Sequence, residues 1–400
     1  MSSALPPAVP PDRCLVVLGA SPDIARTATS LGCRVVFVQQ PGSPVERIVD
    51  DHAHHYSVDF TGPAFPDFVD TVLRPLRPDA VVSVTEYGLR PAAFVNERLG
   101  LRGTPARVVE LLSDKAATRE RLHAAGHPTV RFTEVEDGRP AAETMRRWDS
   151  RSGVVLKPRR GTGSLGVLRF TDPAELAAVG PLPGYLMEEF IDGPEFSAET
   201  FSVGGAHQLV AVTEKHTSPS FVELAHVVPP RGLGPQDVAV VAEEVGAFLD
   251  AVGLSDGPAH TEFKYVDGHV RVIESHNRVG GDGIANLVRL VTGINLKKWS
   301  LGWALGLTRD DCRVDPEAAA AAVAFLSAPP GTVTDARLPL DLSARPGVLF
   351  ARLDVVPGDA VGATGGSGDR VGTVAATGPD AHTALSRAQL AVEEMTVDIR

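Results

Sequence analysis

Apolar positions along the chain first come in short unbroken runs and later in strand-length runs joined by tight glycine turns. From Cys14 to Leu18 an apolar run leads into Gly19-Ala20-Ser21, a helical pattern follows to Leu31, and a second run covers Arg34 to Val38. Strand, helix, strand in that order is a βαβ unit. Another strand-like run, Ala80 to Val84, precedes a helix-like stretch from Gly88 to Leu99, and Gly100-Leu101-Arg102-Gly103 reads as a turn. Residues 12–103 therefore predict a small parallel-sheet domain. Its first turn has no G-x-G-x-x-G, which gives a dinucleotide fold little support.

Thr104 to Ala125 reads as two helices, with Ser113-Asp114 as the cap before the second. From Val130 the pattern turns strand-rich: Gly153–Lys157, Gly166–Phe170, Tyr185–Ile191, Phe196–Val203, Leu209–Lys215, Phe221–Val228, His260–Val266 and His269–Ser275. Turns such as Val203-Gly204-Gly205 and Val266-Asp267-Gly268 are hairpin chemistry and imply antiparallel sheet. A helix, Gln236 to Val252, interrupts them. Beyond an arginine- and alanine-rich stretch from Arg309 to Ala324, strands are expected at Gly347–Val355 and Val371–Ala376, and a final helix at Ala381–Met395. Gly358 to Arg370, with five glycines, reads as a mobile surface loop, and residues 1–11 as a floppy proline-rich leader rather than a signal peptide.

Composition narrows the function. The chain has 400 residues, 43% of them hydrophobic, enough for two or three domains with a sizeable core. A net charge of −12 argues against nucleic acid and anionic membranes as partners. No run reaches the roughly 18 apolar residues that span a bilayer. Three widely spaced cysteines suit a reducing cytoplasm, the expected location. Only six of the 38 basic residues are lysines: Lys115, Lys157, Lys215, Lys264, Lys297 and Lys298.

Three segments carry chemistry. In VVLKPRRGTGSLGV (Val154 to Val167) a strand ends in Lys157 and enters a glycine-rich turn, Gly161, Gly163, Ser164 and Gly166, whose N–H groups could approach a phosphate. It is not a Walker A loop, since no G-K-[ST] follows, and such a turn alone also fits an ordinary hairpin. MEEFIDGPEFSAETF (Met187 to Phe201) alternates apolar residues with Glu188, Glu189, Glu195 and Glu199, as a half-exposed edge strand would, or as a segment offering backbone to adenine and a carboxylate to ribose. In HTEFKYVDGHVRVIESHNRVGGDG (His260 to Gly283), Glu262 and Glu274 stand on adjacent strands on either side of the Asp267-Gly268 turn. Two facing carboxylates are costly without a counter-charge, and oxygen ligands on a sheet face favour Mg²⁺ bridging nucleotide phosphates. Asn277, Arg278, Gly280 and Gly281 follow as a polar turn that could hold an anion.

Together these segments resemble the ATP-grasp superfamily, and within it the carboxylate–amine ligases such as the bacterial L-amino acid ligases. The resemblance implies an α/β (α+β) architecture: a Rossmann-like pre-ATP-grasp domain (12–103), antiparallel grasp subdomains (104–192 with the linking helices, and 193–308), and a C-terminal α+β extension (309–400). SDK and VVLKP imply Lys115 and Lys157 as ATP lysines, GTGSLGV a loop closing over the phosphates, and MEEFIDGPEF an adenine hinge at Glu188 and Ile191 with Glu195 on the ribose. HTEFK and VIESHNR imply Glu262 and Glu274 as ligands of two Mg²⁺, with Mn²⁺ as the alternative metal, and Arg278 as the residue facing the transferring phosphoryl group and substrate carboxylate. FVELAHVVPP points at Glu223 and His226 for the substrate amine. The family places an asparagine two residues after its second metal glutamate; here His276 holds that position and Asn277 follows.

Lys215 reads as a residue over the nucleotide or as a solvated strand end, Lys264 as a phosphate contact or a partner for a carboxylate, and Lys297 and Lys298 as surface. His226 could equally be a core histidine. Glu86 and Tyr87, at the carboxyl end of a strand, are candidates for the substrate pocket. The expected activity is ATP-dependent amide formation between a small carboxylate and an amine, both amino acids, through an acyl phosphate, in an enzyme that the resemblance makes a homodimer. A bicarbonate-using carboxylase or carbamoyl-type enzyme, a small-molecule kinase and an ATP-holding binding module are the rivals.

Overall fold

The computed structural model describes residues 9–43, 54–150, 152–362 and 365–400. Most of the proline-rich leader lies outside the described residues; Val9, at its end, is buried in the core. The first domain is a parallel sheet ordered His55–Ser57, Arg34–Gln39, Cys14–Leu18, Ala80–Val82. The last strand ends two residues before the expected Val84, because Thr85 already leads into the helix Glu86–Leu99. That start places Glu86 at the carboxyl edge of the sheet, with Tyr87 stacked on Phe60 at 5.7 Å.

Two antiparallel sheets follow. The smaller is ordered Phe132–Asp137, Pro181–Glu189, Val154–Pro158, Leu168–Phe170, and is covered by a helix, Gly138–Trp148, that the sequence pattern had not indicated. The larger has eight strands: His269–His276, Gly257–Val266, Glu195–Val203, Ala206–Thr217, Glu223–Val228, Ala320–Leu326, Gly372–Gly378 and Val348–Leu353. The strand Ala320–Leu326 lies inside the alanine-rich stretch, which carries a helix-forming composition. Tertiary packing overrides that preference: Ala320, Ala322 and Ala324 meet Ala384, Leu385 and Ala388 of the final helix, Ala381–Glu393, and small side chains let helix and sheet approach closely. A third sheet, Ala360–Val361, Gly331–Arg337 and Thr396–Ile399, closes the C-terminal part.

The described parts of Gly358–Arg370, residues 358–362 and 365–370, are not a detached surface loop. Ser367 N–H donates to Gly163 O at 3.1 Å, and the Arg370 guanidinium is largely enclosed and paired with Asp282. Nor is Lys297 simply a surface residue: it pairs with Asp23 and donates to Asn286 at 2.7 Å, while Lys298 donates to Asp311 O at 2.9 Å. No helix among the described residues is long and apolar enough to cross a membrane.

Candidate active site

The large sheet sorts the charged residues into rows. Its pairing aligns Lys264 with Glu195, Glu195 with Lys215, and Lys215 with His226. Two residues along, Glu262 stands opposite Glu274, and two further His260 stands opposite His276. A bulge after Glu262 keeps the two glutamates in register although the turn between them is tight. Because side chains alternate across a strand, all these groups project from one face. The smaller sheet and its glycine-rich turn cover that face, forming a cleft lined by Lys115, Lys157, Ile191, Glu195, Glu262 and Glu274. Gly161 and Ser164 line the same cleft.

Charges in the cleft are paired almost completely. Lys157 Nζ lies 2.6 Å from Glu188, whose carboxylate also takes Arg119 Nε at 2.9 Å, all three groups being buried. Burial pushes the Lys157 ammonium down despite Glu188, and the cations hold the Glu188 carboxyl down despite its burial. Glu188 therefore anchors a lysine through its carboxylate while itself lining the cleft. The neighbouring backbone from Glu189 to Ile191 also lines the cleft. Arg119 carried no motif in the sequence; its signal is its place one turn after Lys115 on the helix Lys115–Ala124.

Lys115 lies 2.8 Å from Glu274 and donates to Gly161 O at 2.8 Å. Lys215, read as one of two alternatives, is not a solvated strand end: it is buried and sits 2.5 Å from Glu262, 3.3 Å from Glu195 and 3.7 Å from Glu223. Burial opposes its charge, but three carboxylates raise its pKa well above the usual lysine range. Lys264 pairs with Glu195 at 3.1 Å. His260 bridges Glu199 at 2.8 Å and Glu262 at 3.1 Å, and these carboxylates raise it to about 9 against its burial.

The facing glutamates are thus compensated by Lys215 and Lys115 as well as by His260 and His276, not left as the bare pair that the spacing suggested. Among the described residues no group of three or more His, Cys, Asp or Glu is arranged to hold a metal. Two hard carboxylates on one face nevertheless fit Mg²⁺, which takes one or two protein carboxylates together with phosphate oxygens and water. Asn277 points away, donating to Pro258 O at 2.8 Å. His276 instead lies 3.2 Å from Glu274 and 3.0 Å from Glu86.

Glu86 links the first domain to this centre, with Arg278 Nε at 2.8 Å, and the two cations hold its carboxyl at about 2 despite burial. Arg278 and Gly281 line a second cleft with Lys215, Glu223, His226 and Gly163. Gly280 packs tightly: a Cβ there would stand 2.9 Å from Glu199 Oε2 and 3.0 Å from His260 Nδ1. Gly166, in the left-handed region at φ 75°, packs against Tyr185 and Pro158 at the foot of the turn and is not part of either cleft lining. His226 is buried, with Nδ1 lacking a hydrogen-bond partner among the described residues and Nε2 3.5 Å from Asp282. Ser367 donates to Glu223, and Arg370 holds Asp282 with two bonds of 2.6 and 3.0 Å. Asp282, Ser367 and Arg370 were missed by sequence reasoning because they belong to turns with no periodicity.

Residues 183–286 match the ATP-grasp domain, and residues 324–400 match the L-amino acid ligase C-terminal domain 2. The L-arginine-specific L-amino acid ligase of Bacillus subtilis is 26% identical over 249 residues, 58% of each chain, so the match spans little more than half of that protein. The L-amino acid ligase of Bacillus licheniformis superposes with a TM-score of 0.82 at 24% identity, covering 97% of this chain and 99% of that one. The biotin carboxylase domain of Hydrogenobacter thermophilus 2-oxoglutarate carboxylase, solved with MgADP and bicarbonate, superposes with a TM-score of 0.70 at 18% identity, covering 97% and 91%.

Proposed function

Because the chain belongs to the ATP-grasp superfamily, we propose that it is an ADP-forming ligase that joins a carboxylate to an amine, both from amino acids, through an acyl phosphate. The observation that carries this reading is one cleft in which Lys115 from a helix and Lys157 from the smaller sheet stand over the two facing glutamates of the larger sheet, with the Glu86–Arg278 pair and the open imidazole of His226 beyond them. Lys115 and Lys157 would neutralise ATP phosphates, exchanging their present carboxylate partners for phosphate oxygens, and Lys215 would hold Glu262 in place. Glu262 and Glu274 would hold Mg²⁺, which when bound neutralises charge on the transferring phosphoryl group. Arg278, positioned by Glu86, would receive the substrate carboxylate and stabilise the tetrahedral species formed when the amine attacks the acyl carbon. Glu223 and His226 face the amine side.

Catalysis of this kind is mostly positioning and charge stabilisation. The turn from Gly161 to Gly166 would cover the acyl phosphate against water. The C-terminal ligase domain match favours an amino acid over bicarbonate as the carboxylate, since the carboxylase fold is shared at low identity.

Phosphate release with MgATP across pairs of amino acids tests the reading. ADP, phosphate and an amide mass formed only with two substrates support it. A stable phosphorylated product without amide overturns it in favour of a kinase, and bicarbonate-dependent ADP release in favour of a carboxylase.

A further inference from the structure

An amine donor that is itself an α-amino acid keeps its own carboxylate through amide formation. That carboxylate needs a cation distinct from those on the phosphates and on the acyl group. The cations around the two clefts are nearly all committed. Lys115, Lys157 and Lys264 line the nucleotide side, Lys215 is enclosed by three carboxylates, and Arg278 is held by Glu86.

Arg370 lines neither cleft but the cavity that adjoins the second one through Asp282 and Ser367. Its guanidinium carbon lies over the Phe325 ring, 3.7 Å from the centroid, and its fork already grips a carboxylate, that of Asp282. A bidentate arginine fork seated over an aromatic ring is suited to recognising a carboxylate. The segment carrying it is fastened on both sides of the reaction centre, by Ser367 N–H to Gly163 O in the phosphate turn and by Ser367 Oγ to Glu223. Asp282, with φ 52° in the left-handed region, stands between Arg370 and the buried imidazole of His226, whose ring meets Phe325 edge-on at 5.7 Å. The unpartnered Nδ1 of His226 marks a polar position awaiting a ligand, one side chain away from the arginine fork.

Beyond Arg370 the same sheet face continues. His226 pairs with Val323, Val323 with Ala375, and Ala375 with Phe350, so the row that begins among the charged residues ends in apolar ones. There a cavity opens between this face and the Ser367–Arg370 segment, with Val323, Phe325, Phe350 and Thr373 along its wall. The Arg352–Asp354 pair, at 2.6 Å, also borders it. Phe350 is 44% exposed, an aromatic ring that a ligand could cover.

We propose that Arg370 binds the free carboxylate of the amine-donating substrate, an α-amino acid, and that the cavity over Val323, Phe325 and Phe350 takes that substrate's apolar side chain. Asp282 holds the place of the substrate carboxylate when the site is empty, and on exchange it faces the substrate's amino group beside His226. The inference rests on the ligase reading and adds the residues that would recognise the second substrate's carboxylate and side chain.

The test separates the two. Hydroxylamine with MgATP and single amino acids first identifies the carboxylate donor as a hydroxamate; no hydroxamate from any amino acid overturns the ligase reading itself. With that donor fixed, kcat/KM is measured for L-phenylalanine, L-phenylalaninamide and glycine as amine donors. The expected result is a preference for phenylalanine over its amide of at least about tenfold, reduced towards unity in Arg370→Gln. Phe350→Ala is expected to cut the preference for phenylalanine over glycine by about tenfold. A merely structural role for Arg370 lowers turnover of acid and amide alike and leaves their ratio intact, which overturns the proposal. A wild-type ratio near one overturns it without any variant. If Arg370→Gln does not fold, the wild-type ratio and Phe350→Ala still decide.

Discussion

The two ends of the reaction centre are built differently. At the nucleotide end the ionic groups sit mostly on regular strands, buried and matched: Lys157 with Glu188, Lys215 with Glu262, Lys115 with Glu274. At the far end the pair Asp282–Arg370 joins two turns from distant parts of the chain, and His226 keeps an unpaired nitrogen. On the ligase reading, the nucleotide end would meet the same triphosphate in every turnover with charges carried on strands and a helix. The far end would meet the amine donor with groups carried on turns.

Breaking the nucleotide end should therefore cost most. Glu274→Gln removes one of two facing carboxylates and is expected to lower turnover by roughly a thousandfold, with ADP formation as readout; an unchanged rate would refute its metal role. Chelation with EDTA should abolish the same activity and excess Mg²⁺ restore it. Glu188→Ala strands Lys157 and Arg119 as buried charges, and a loss of about 3–5 kcal/mol in denaturant unfolding is expected, against little change for an exposed control such as Glu143→Ala. A smaller loss, about 1–3 kcal/mol, is expected for Gly280→Ala, whose methyl group meets Glu199 and His260, with His260→Ala in the same background relieving part of it.

The weakest effect concerns acid. Glu86 has its carboxyl lowered from 4.5 to about 2, so it contributes stability that is fully present above pH 4.5 and is lost as the pH falls through about 2. Glu86→Gln should flatten the pH dependence of the melting temperature in that window. A parallel pH profile in wild type and variant would show that Glu86 does not tie the first domain to Arg278 and His276.

The strands of the candidate site were legible because strand periodicity is simple. Glu262 and His260, like Glu274 and His276, are two residues apart and must share a face, so the spacing around the Asp267-Gly268 turn already brought two carboxylates together. What escaped was their compensation. Lys115 arrives from a helix and Lys215 from a strand two places away in the sheet, and neither distance is encoded locally. The same holds for Glu188, whose period-two pattern is that of an edge strand but whose carboxylate is buried by Arg119 from another element.

The alanine run at 320–324 shows the reverse failure. Local propensity favours a helix there, and only the close approach of the helix Ala381–Glu393 makes small residues the right ones for a central strand. By itself the sequence determined most element types outside the alanine run and the helix Gly138–Trp148, the face each charged strand residue occupies and the glycine turn beside Lys157. Tertiary structure decided which opposite charges meet, and it carried Arg370 from a glycine-rich turn into the site. Pairing energies depend on distances between elements remote in sequence, whereas periodicity depends only on neighbours along the chain.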